Sequence, residues 1–123
     1  MGLFSKDDKP KQDVREKYEK EISEFLLSGE VVEGVYPLII DFLCITNKRL
    51  IFVDKEISIK EPKTTIYSIP YGNIASVGLE KNEKAFAFTD EISIVTKGKT
   101  HQLKFVRGTN IVELYNTLVE KIV

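Results

Sequence analysis

The stretch FLCITNKRLIF, residues Phe42 to Phe52, places a short polar turn between two apolar arms. Each arm is rich in aromatic and β-branched residues and shows no helical spacing, so the stretch is predicted to form a β-hairpin. Both alternating faces of each arm are apolar, whereas a strand with one solvated face would carry a polar residue at every second position. We therefore expect cover on both sides of the hairpin, from the core on one side and from the N-terminal helix or a partner subunit on the other.

The turn inside this stretch is polar and basic. Asn47 is expected to adopt the backbone angles that a tight reversal requires, and Lys48 is expected to be exposed at the tip. Arg49 opens the following strand, where its guanidinium is expected to pair with a carboxylate, Asp41 or Asp54 being the candidates. We favour this structural role over a hook for phosphate, lipid or nucleic acid, because a phosphate site would need more converging bases.

Around the hairpin, the chain contains further short runs of β-branched and aromatic residues, separated by turn-forming stretches. Short strands with short connections are typical of an antiparallel sandwich or barrel, so the fold is predicted to be mainly β. The seven predicted strands are Val31 to Ile40, Phe42 to Thr46, Leu50 to Asp54, Thr64 to Ile69, Ile74 to Glu80, Ala85 to Val95 and His101 to Val106.

An amphipathic helix is predicted near each end of the chain. In the first, apolar residues recur at helical spacing from Val14 to Leu26, and Gly29 supplies a natural stop. Its charged face has nearly equal numbers of acids and bases, which favours packing on its own domain over a membrane surface. The second helix follows Asn110 and Glu113, spaced as in a capping box. Its wide apolar face is expected to cover an open end of the barrel.

Length and composition indicate one soluble globular domain. The predicted elements divide the chain into an N-terminal tail and helix, residues 1–28, and a barrel with its capping helix, residues 29–123. Of the 123 residues 42% are hydrophobic and 30% are charged, the balance of a folded domain. Lys and Arg number 18 against 19 Asp and Glu, which argues against nucleic acid as a partner. The single cysteine fits a reducing cytoplasm, and no run reaches the roughly 20 apolar residues of a membrane span.

Residues suited to catalysis are sparse. Cys44 lies in an apolar run and His101 in a predicted strand, so a reactive Cys–His pair is not expected. Asp90 and Glu91 are adjacent strand residues that point to opposite faces. We therefore predict no catalytic residue, no metal site and no cofactor, and we do not expect an enzyme.

An ordered set of short stretches runs through the barrel region: Gly29-Glu30, Tyr36 to Asp41, Thr46 to Ile51, Asp54-Lys55, and Ser68 to Tyr71. Their order and spacing resemble the signature of the bacterial pleckstrin-homology-like family along most of residues 29–123. The piece from Phe86 to Ile94 is similar to the sixth strand of that family, where an acidic residue also precedes an alternating apolar run.

The resemblance implies a seven-stranded, two-sheet barrel plugged by the C-terminal helix, and a module without catalytic activity. It also implies a cyclic homo-oligomeric ring in which strands of neighbouring protomers meet, and a polar surface there that binds an unidentified partner protein. Such a ring would provide the second cover for the apolar hairpin. The residues that the resemblance marks as candidates for interaction are Lys48, Arg49, Asp54, Lys55, Ser68 and Tyr71.

Two stretches depart from the family pattern. Glu56 to Lys63 is longer and more charged than the glycine-containing turn of relatives. Pro37 to Asp41 has no base, so phosphoinositide binding in the manner of eukaryotic pleckstrin-homology domains is not expected. The alternative function is a peripheral module that contacts anionic lipid at the inner face of the membrane. It would use Leu3, Phe4 and three lysine-bearing loops, Lys55 to Lys63, Lys81 to Lys84 and Lys97 to Lys99.

Overall fold

Two antiparallel sheets and two helices make up the fold in this computed structural model, which describes residues 15–39, 42–56, 60–81 and 90–123, apart from the side chains of Lys55 and Glu56. Within the described part, helix α1 covers residues 15–22 and continues into a 3-10 turn, Ser23–Phe25. The other elements are β1 (Val32–Pro37), β2 (Phe42–Thr46), β3 (Arg49–Glu56), β4 (Lys63–Pro70), a 3-10 turn (Tyr71–Asn73), β5 (Ile74–Glu80), β6 (Glu91–Thr96), β7 (Lys99–Lys104) and α2 (Ile111–Ile122).

The strands of the described residues form a four-stranded sheet in the order β1-β2-β3-β4 and a three-stranded sheet in the order β5-β6-β7. The sheets meet where β1 ends and β7 ends, through an antiparallel bridge between Leu38 and Phe105. Two backbone hydrogen bonds extend this seam: Ile39 N–H donates to the Lys104 carbonyl at 2.9 Å, and Val106 N–H donates to the Pro37 carbonyl at 3.2 Å. The architecture confirms the prediction of a mainly β, two-sheet fold.

The space between the two sheets and α2 holds the main core. Fully buried side chains from both sheets meet there, and the apolar face of α2 closes one end, as expected. The Asn110 side chain accepts from Glu113 N–H at 3.3 Å, which fixes the start of the helix. The buried residues of this core are Leu38, Leu43, Ile45, Leu50, Phe52, Ile69, Ile74, Ile92, Ile94, Leu103, Phe105, Ile111, Leu114 and Leu118.

A second apolar cluster lies on the opposite face of the four-stranded sheet. Helix α1 packs there: Ile22 is fully buried, and the Tyr18 ring stacks on Phe42 with 4.0 Å between centroids. The alternate residues of β2 and β3, including Cys44 and Ile51, form the floor of this cluster. The chain's own helix therefore supplies the second cover that the hairpin requires, and a neighbouring subunit is not needed for it.

Several boundaries differ from the predicted ones. β7 begins at Lys99, two residues early, because Gly98 with φ 86° completes a tight turn directly before it. Gly29, with φ 78°, lies in the turn before β1, because the helical segment has already ended at Phe25. The predicted strand from Ala85 to Val95 is seen only as β6, and residues 85–89 lie outside the described residues.

Asn47 does not play the predicted backbone role. Its φ is not positive; instead its side chain joins the turn to the segment before β1. The Val31 N–H donates to Asn47 Oδ1 at 2.7 Å, and Asn47 Nδ2 donates to the Gly29 carbonyl at 3.0 Å. No helix within the described ranges is long and apolar enough to cross a membrane.

Ile22→Ala is expected to lower the free energy of unfolding by about 3 kcal/mol, because the change leaves a cavity between α1 and the hairpin. Urea unfolding followed by circular dichroism measures the effect. Glu16→Ala, at an exposed position of the same helix, is the matched control and is expected to change stability by less than about 0.5 kcal/mol. Equal small effects for both variants would contradict the packing of α1 on the sheet.

Candidate functional site

The basic turn contains a paired arginine. Arg49 Nε and Nη2 donate to the two carboxylate oxygens of Glu30, each at 2.9 Å. The prediction that Arg49 pairs with Asp41 or Asp54 is therefore wrong with respect to the partner. Asp54 lies five residues along β3, about 16 Å away at the usual rise of a strand, and Asp41 lies outside the described residues.

Further hydrogen bonds surround this ion pair. The Glu30 carboxylate accepts from Thr46 Oγ1 at 2.7 Å and from Leu27 N–H at 2.9 Å, and its side chain is fully shielded from solvent. Arg49 also donates to Ser68 Oγ at 2.7 Å and to the Phe25 carbonyl at 2.6 Å. The network ties the chain before β1 to β2, β3 and β4 at one end of the sheet.

Tyr71 closes the network from the turn after β4. Its hydroxyl approaches the Thr46 carbonyl at 2.6 Å and the Arg49 carbonyl at 2.8 Å. Burial, followed by the charge of Glu33, raises the pKa of Tyr71 above its ordinary value. The hydrogen bond from Arg49 lowers the pKa of Glu30 from 4.5 to about 2, against the opposing effect of burial. Glu30 is therefore ionised and Tyr71 is a neutral donor at physiological pH.

The structure brings together three of the six residues predicted for interaction. Arg49 donates to Ser68 Oγ, and the Tyr71 hydroxyl approaches the carbonyls of Thr46 and Arg49. Arg49, Ser68 and Tyr71 therefore converge, and these polar atoms are engaged within the network. Lys48 is exposed at the tip of the turn, as expected. Asp54 is half-buried towards the other end of β3, and the side chain of Lys55 lies outside the description.

A cleft of about 610 Å³ opens between the two sheets. β4 and β5 are outer strands of their sheets, and along the described residues neither outer edge pairs with another strand. One wall of the cleft is residues 67–70 of β4, the floor is residues 72–75, and the facing wall is the β6–β7 turn with Thr96, Lys97, Lys99 and His101. The cleft therefore lies directly beside a strand edge that pairs with no described residue.

Aromatic and basic side chains fill the end of this cleft. The Tyr67 ring stacks on Phe52 at 4.6 Å, and the His101 ring meets both edge-on, at 5.3 and 5.1 Å. Lys99 Nζ lies 5.1 Å from the Tyr67 centroid. Burial, and then the charge of Lys99, lowers the pKa of His101. The described lining of the cleft contains two lysines and no carboxylate, so the cleft carries positive charge.

Cys44 and His101 lie on opposite sides of the four-stranded sheet. Cys44 belongs to the cluster under α1, and burial raises the pKa of its thiol to about 12. His101 contacts Phe52, which faces the main core. The two side chains therefore form no nucleophile–base pair. Among the described residues, no group of three or more His, Cys, Asp or Glu side chains is placed to hold a metal ion.

Comparison with known proteins agrees with this architecture. Residues 5–122 match the family model of the bacterial PH domain. The chain belongs to that family. The uncharacterized protein YozO of Bacillus subtilis is 30% identical over 120 residues, which cover 98% of this chain and 96% of YozO.

Solved PH domains share the fold. The pleckstrin homology domain from Shewanella amazonensis has a TM-score of 0.70 and 27% identity, with 87% of this chain and 86% of that chain covered. A DUF1696 family protein with a pleckstrin-homology domain, from Shewanella loihica, has a TM-score of 0.72 and 24% identity, with 88% and 92% covered. At this low identity the second likeness concerns the fold alone.

Sequence reasoning missed the roles of Glu30 and Tyr67. Glu30 lies 19 residues before Arg49, whereas Asp41 and Asp54 lie closer to Arg49 in the chain and were therefore the first candidates. The Gly29-Glu30 pair, noted only for its likeness to the family, was the available signal. The sequence names the loop from Lys97 to Lys99 only for contact with anionic lipid, and only the fold brings its lysines opposite β4.

Glu30→Gln is expected to lower the free energy of unfolding at neutral pH by about 3 kcal/mol, because a largely buried Arg49 loses its counter-ion. The folded-state pKa of Glu30 lies below its unfolded value. The stabilisation is therefore complete above about pH 4.5 and is lost as the pH falls towards 2. The variant should lose that part of the acid dependence in urea unfolding at a series of pH values.

Glu33→Gln is the control for this prediction, because Glu33 pairs with Lys121 at 2.7 Å while its side chain is 44% exposed. Exposed pairs contribute at most about 1 kcal/mol. A Glu30 variant that is no less stable than the Glu33 variant would contradict the structural role of the network.

Proposed function

We propose that this bacterial PH domain is a non-catalytic interaction module of the cytoplasm. In this proposal it assembles into a cyclic homo-oligomer and presents a polar surface to protein partners. The observation that carries the proposal is the outer edge of β4, an eight-residue strand whose partner on one side is β3 and whose other side pairs with no described residue. Unpaired strand edges are templates for pairing with another chain.

Between its end residues, Lys63 and Pro70, β4 lacks the features that usually protect an edge. The residues between them are uncharged and include no proline, and the register of β4 with β3 runs without a shift. β1, by contrast, has a register shift between Val32 and Gly34. The main-chain groups of β4 are thus open to strand addition along a regular, neutral segment.

The edge of β5 provides a second surface of a different kind. Ile74–Leu79 is also uncharged, although a register shift follows Ile74. A contact between two different surfaces of neighbouring protomers is head-to-tail, and it generates a ring when the rotation closes. The open edge of β4 therefore supports a ring. The apolar hairpin does not support one, because α1 of the same chain already covers its second face.

Thr65→Lys is expected to convert the oligomer into single chains, because a lysine in the middle of an exposed edge strand opposes pairing with a neighbour. Light scattering after size-exclusion chromatography at micromolar concentration measures the mass. Asn116→Lys adds the same charge at an exposed position of α2 and should leave the mass unchanged. A wild-type protein that elutes as a single chain would contradict the ring.

A second candidate function, contact with an anionic membrane, is favoured by an apolar loop at residues 25–31. Phe25, Leu27 and Val31 are 40, 56 and 59% exposed. Three hydrogen bonds hold the backbone of this loop. Arg49 donates to the Phe25 carbonyl, Glu30 accepts from Leu27 N–H, and Asn47 accepts from Val31 N–H. Lys48 is exposed on the turn beside this loop. Exposed apolar groups next to a base suit a negatively charged lipid surface. Leu3 and Phe4, predicted for this role, lie outside the described residues.

Flotation with vesicles that contain phosphatidylserine, at low and at high salt, tests the membrane candidate. Leu27→Asp should reduce co-flotation at least several-fold, because a carboxylate replaces an apolar group at the surface of contact. Asn116→Asp adds the same charge on α2 and is the control. Absence of the wild-type protein from the vesicle fraction at low salt would end this candidate.

A further inference from the structure

We infer that the cleft beside β4 takes an extended, carboxylate-rich segment of another protein, which adds as a strand to the outer edge of β4. The inference rests on the proposed function, because it uses the same open edge and names the chemistry of the partner. Since a neighbouring protomer would use this edge as well, the segment competes with self-assembly. The partner thereby regulates the oligomer.

The backbone of β4 supplies the affinity. Residues 67–70 form one wall of the cleft, and the outer edge of this wall pairs with no described residue. Four residues of an added strand would span about 13 Å along it. Main-chain hydrogen bonds of this kind hold extended peptides at sheet edges without regard to sequence, and side chains then provide selectivity.

The facing wall supplies the selectivity. Lys97 and Lys99 are exposed on the β6–β7 turn, and the described lining of the cleft has no Asp or Glu to neutralise them. The chain as a whole has a net charge of -1, so this positive cleft is a local departure from the average. Carboxylates at alternate positions of an added strand would all face one wall, and a basic strand would be repelled.

The cluster of Phe52, Tyr67 and His101 at the end of the cleft favours an extended chain over a free anion as the ligand. The Tyr67 ring contacts both Phe52 and His101, and the methylene groups of a glutamate on an added strand would pack against it. Lys99 already lies over the same ring, so the carboxylate of that glutamate reaches a base whose position is defined. A segment with glutamates at alternate positions fits both features.

Binding of fluorescent octapeptides to the full chain, measured by anisotropy, tests the inference. An alternating Val-Glu peptide should bind, a Val-Lys peptide should not, and high salt should weaken the complex. A Val-Glu peptide that is methylated at every backbone nitrogen has the same charge but no N–H group to donate, and it should bind at least about tenfold more weakly. Equal binding of the Val-Glu peptide and its methylated form would overturn strand addition.

Variants locate the contact. Removal of both facing charges, Lys97→Gln with Lys99→Gln, should weaken Val-Glu binding about tenfold, the effect expected for two exposed ion pairs. The control, Lys17→Gln with Lys20→Gln, removes the same charge from exposed positions of α1 and should have no effect. Equal losses in the two double variants would mean that only net charge matters and would overturn the site.

Light scattering on the same samples separates this inference from the proposed function. Dissociation of the wild-type oligomer by the Val-Glu peptide, but not by the Val-Lys peptide, is the expected result. An oligomer that neither binds nor dissociates with the Val-Glu peptide would overturn the inference and leave the ring standing. A single chain that binds this peptide selectively would support the site and contradict the ring.

Discussion

The structure depends on the need to shield a hairpin that is apolar on both faces. One face of β2 and β3 can be buried only in the core between the sheets, and the other only under a separate element. Because α1 fills that second role through Ile22 and Tyr18, the segment before β1 has to be held at the end of the sheet. The Glu30–Arg49 ion pair does this, since Arg49 donates to the Phe25 carbonyl and Glu30 accepts from Leu27 N–H.

This arrangement explains what could be predicted from sequence. The apolar arms around Asn47, the alternating strands and the amphipathic helices each depend on local pattern, and they predicted a mainly β fold with a helix near each end. The partner of Arg49 depends on which distant residue the fold brings near. Glu30 is separated from Arg49 by β1, β2 and their connections, and apart from its place beside Gly29 nothing in its local sequence distinguishes it from the other glutamates.

The same reasoning applies to the cleft. Tyr67, Lys99 and His101 come from strands of different sheets, and their approach follows from how the sheets cross rather than from spacing in the chain. A lysine in a tight turn is usually solvated, so the sequence alone favours the interpretation that Lys97 and Lys99 are solvated side chains without a binding role. Their position opposite a strand edge that has no partner in the described part of the chain changes that interpretation.

Lysines can also protect a strand edge, and their position here distinguishes protection from recognition. Protective charges belong to the edge strand itself, where an added strand would have to bury them. Lys97 and Lys99 stand across the cleft from β4, whose residues 64–69 carry no charge. In the proposed complex they would leave the hydrogen-bonding groups of β4 accessible and would act on the side chains of the incoming strand. Such a geometry would discriminate between partners by charge, because it would penalise basic strands without closing the edge to acidic ones.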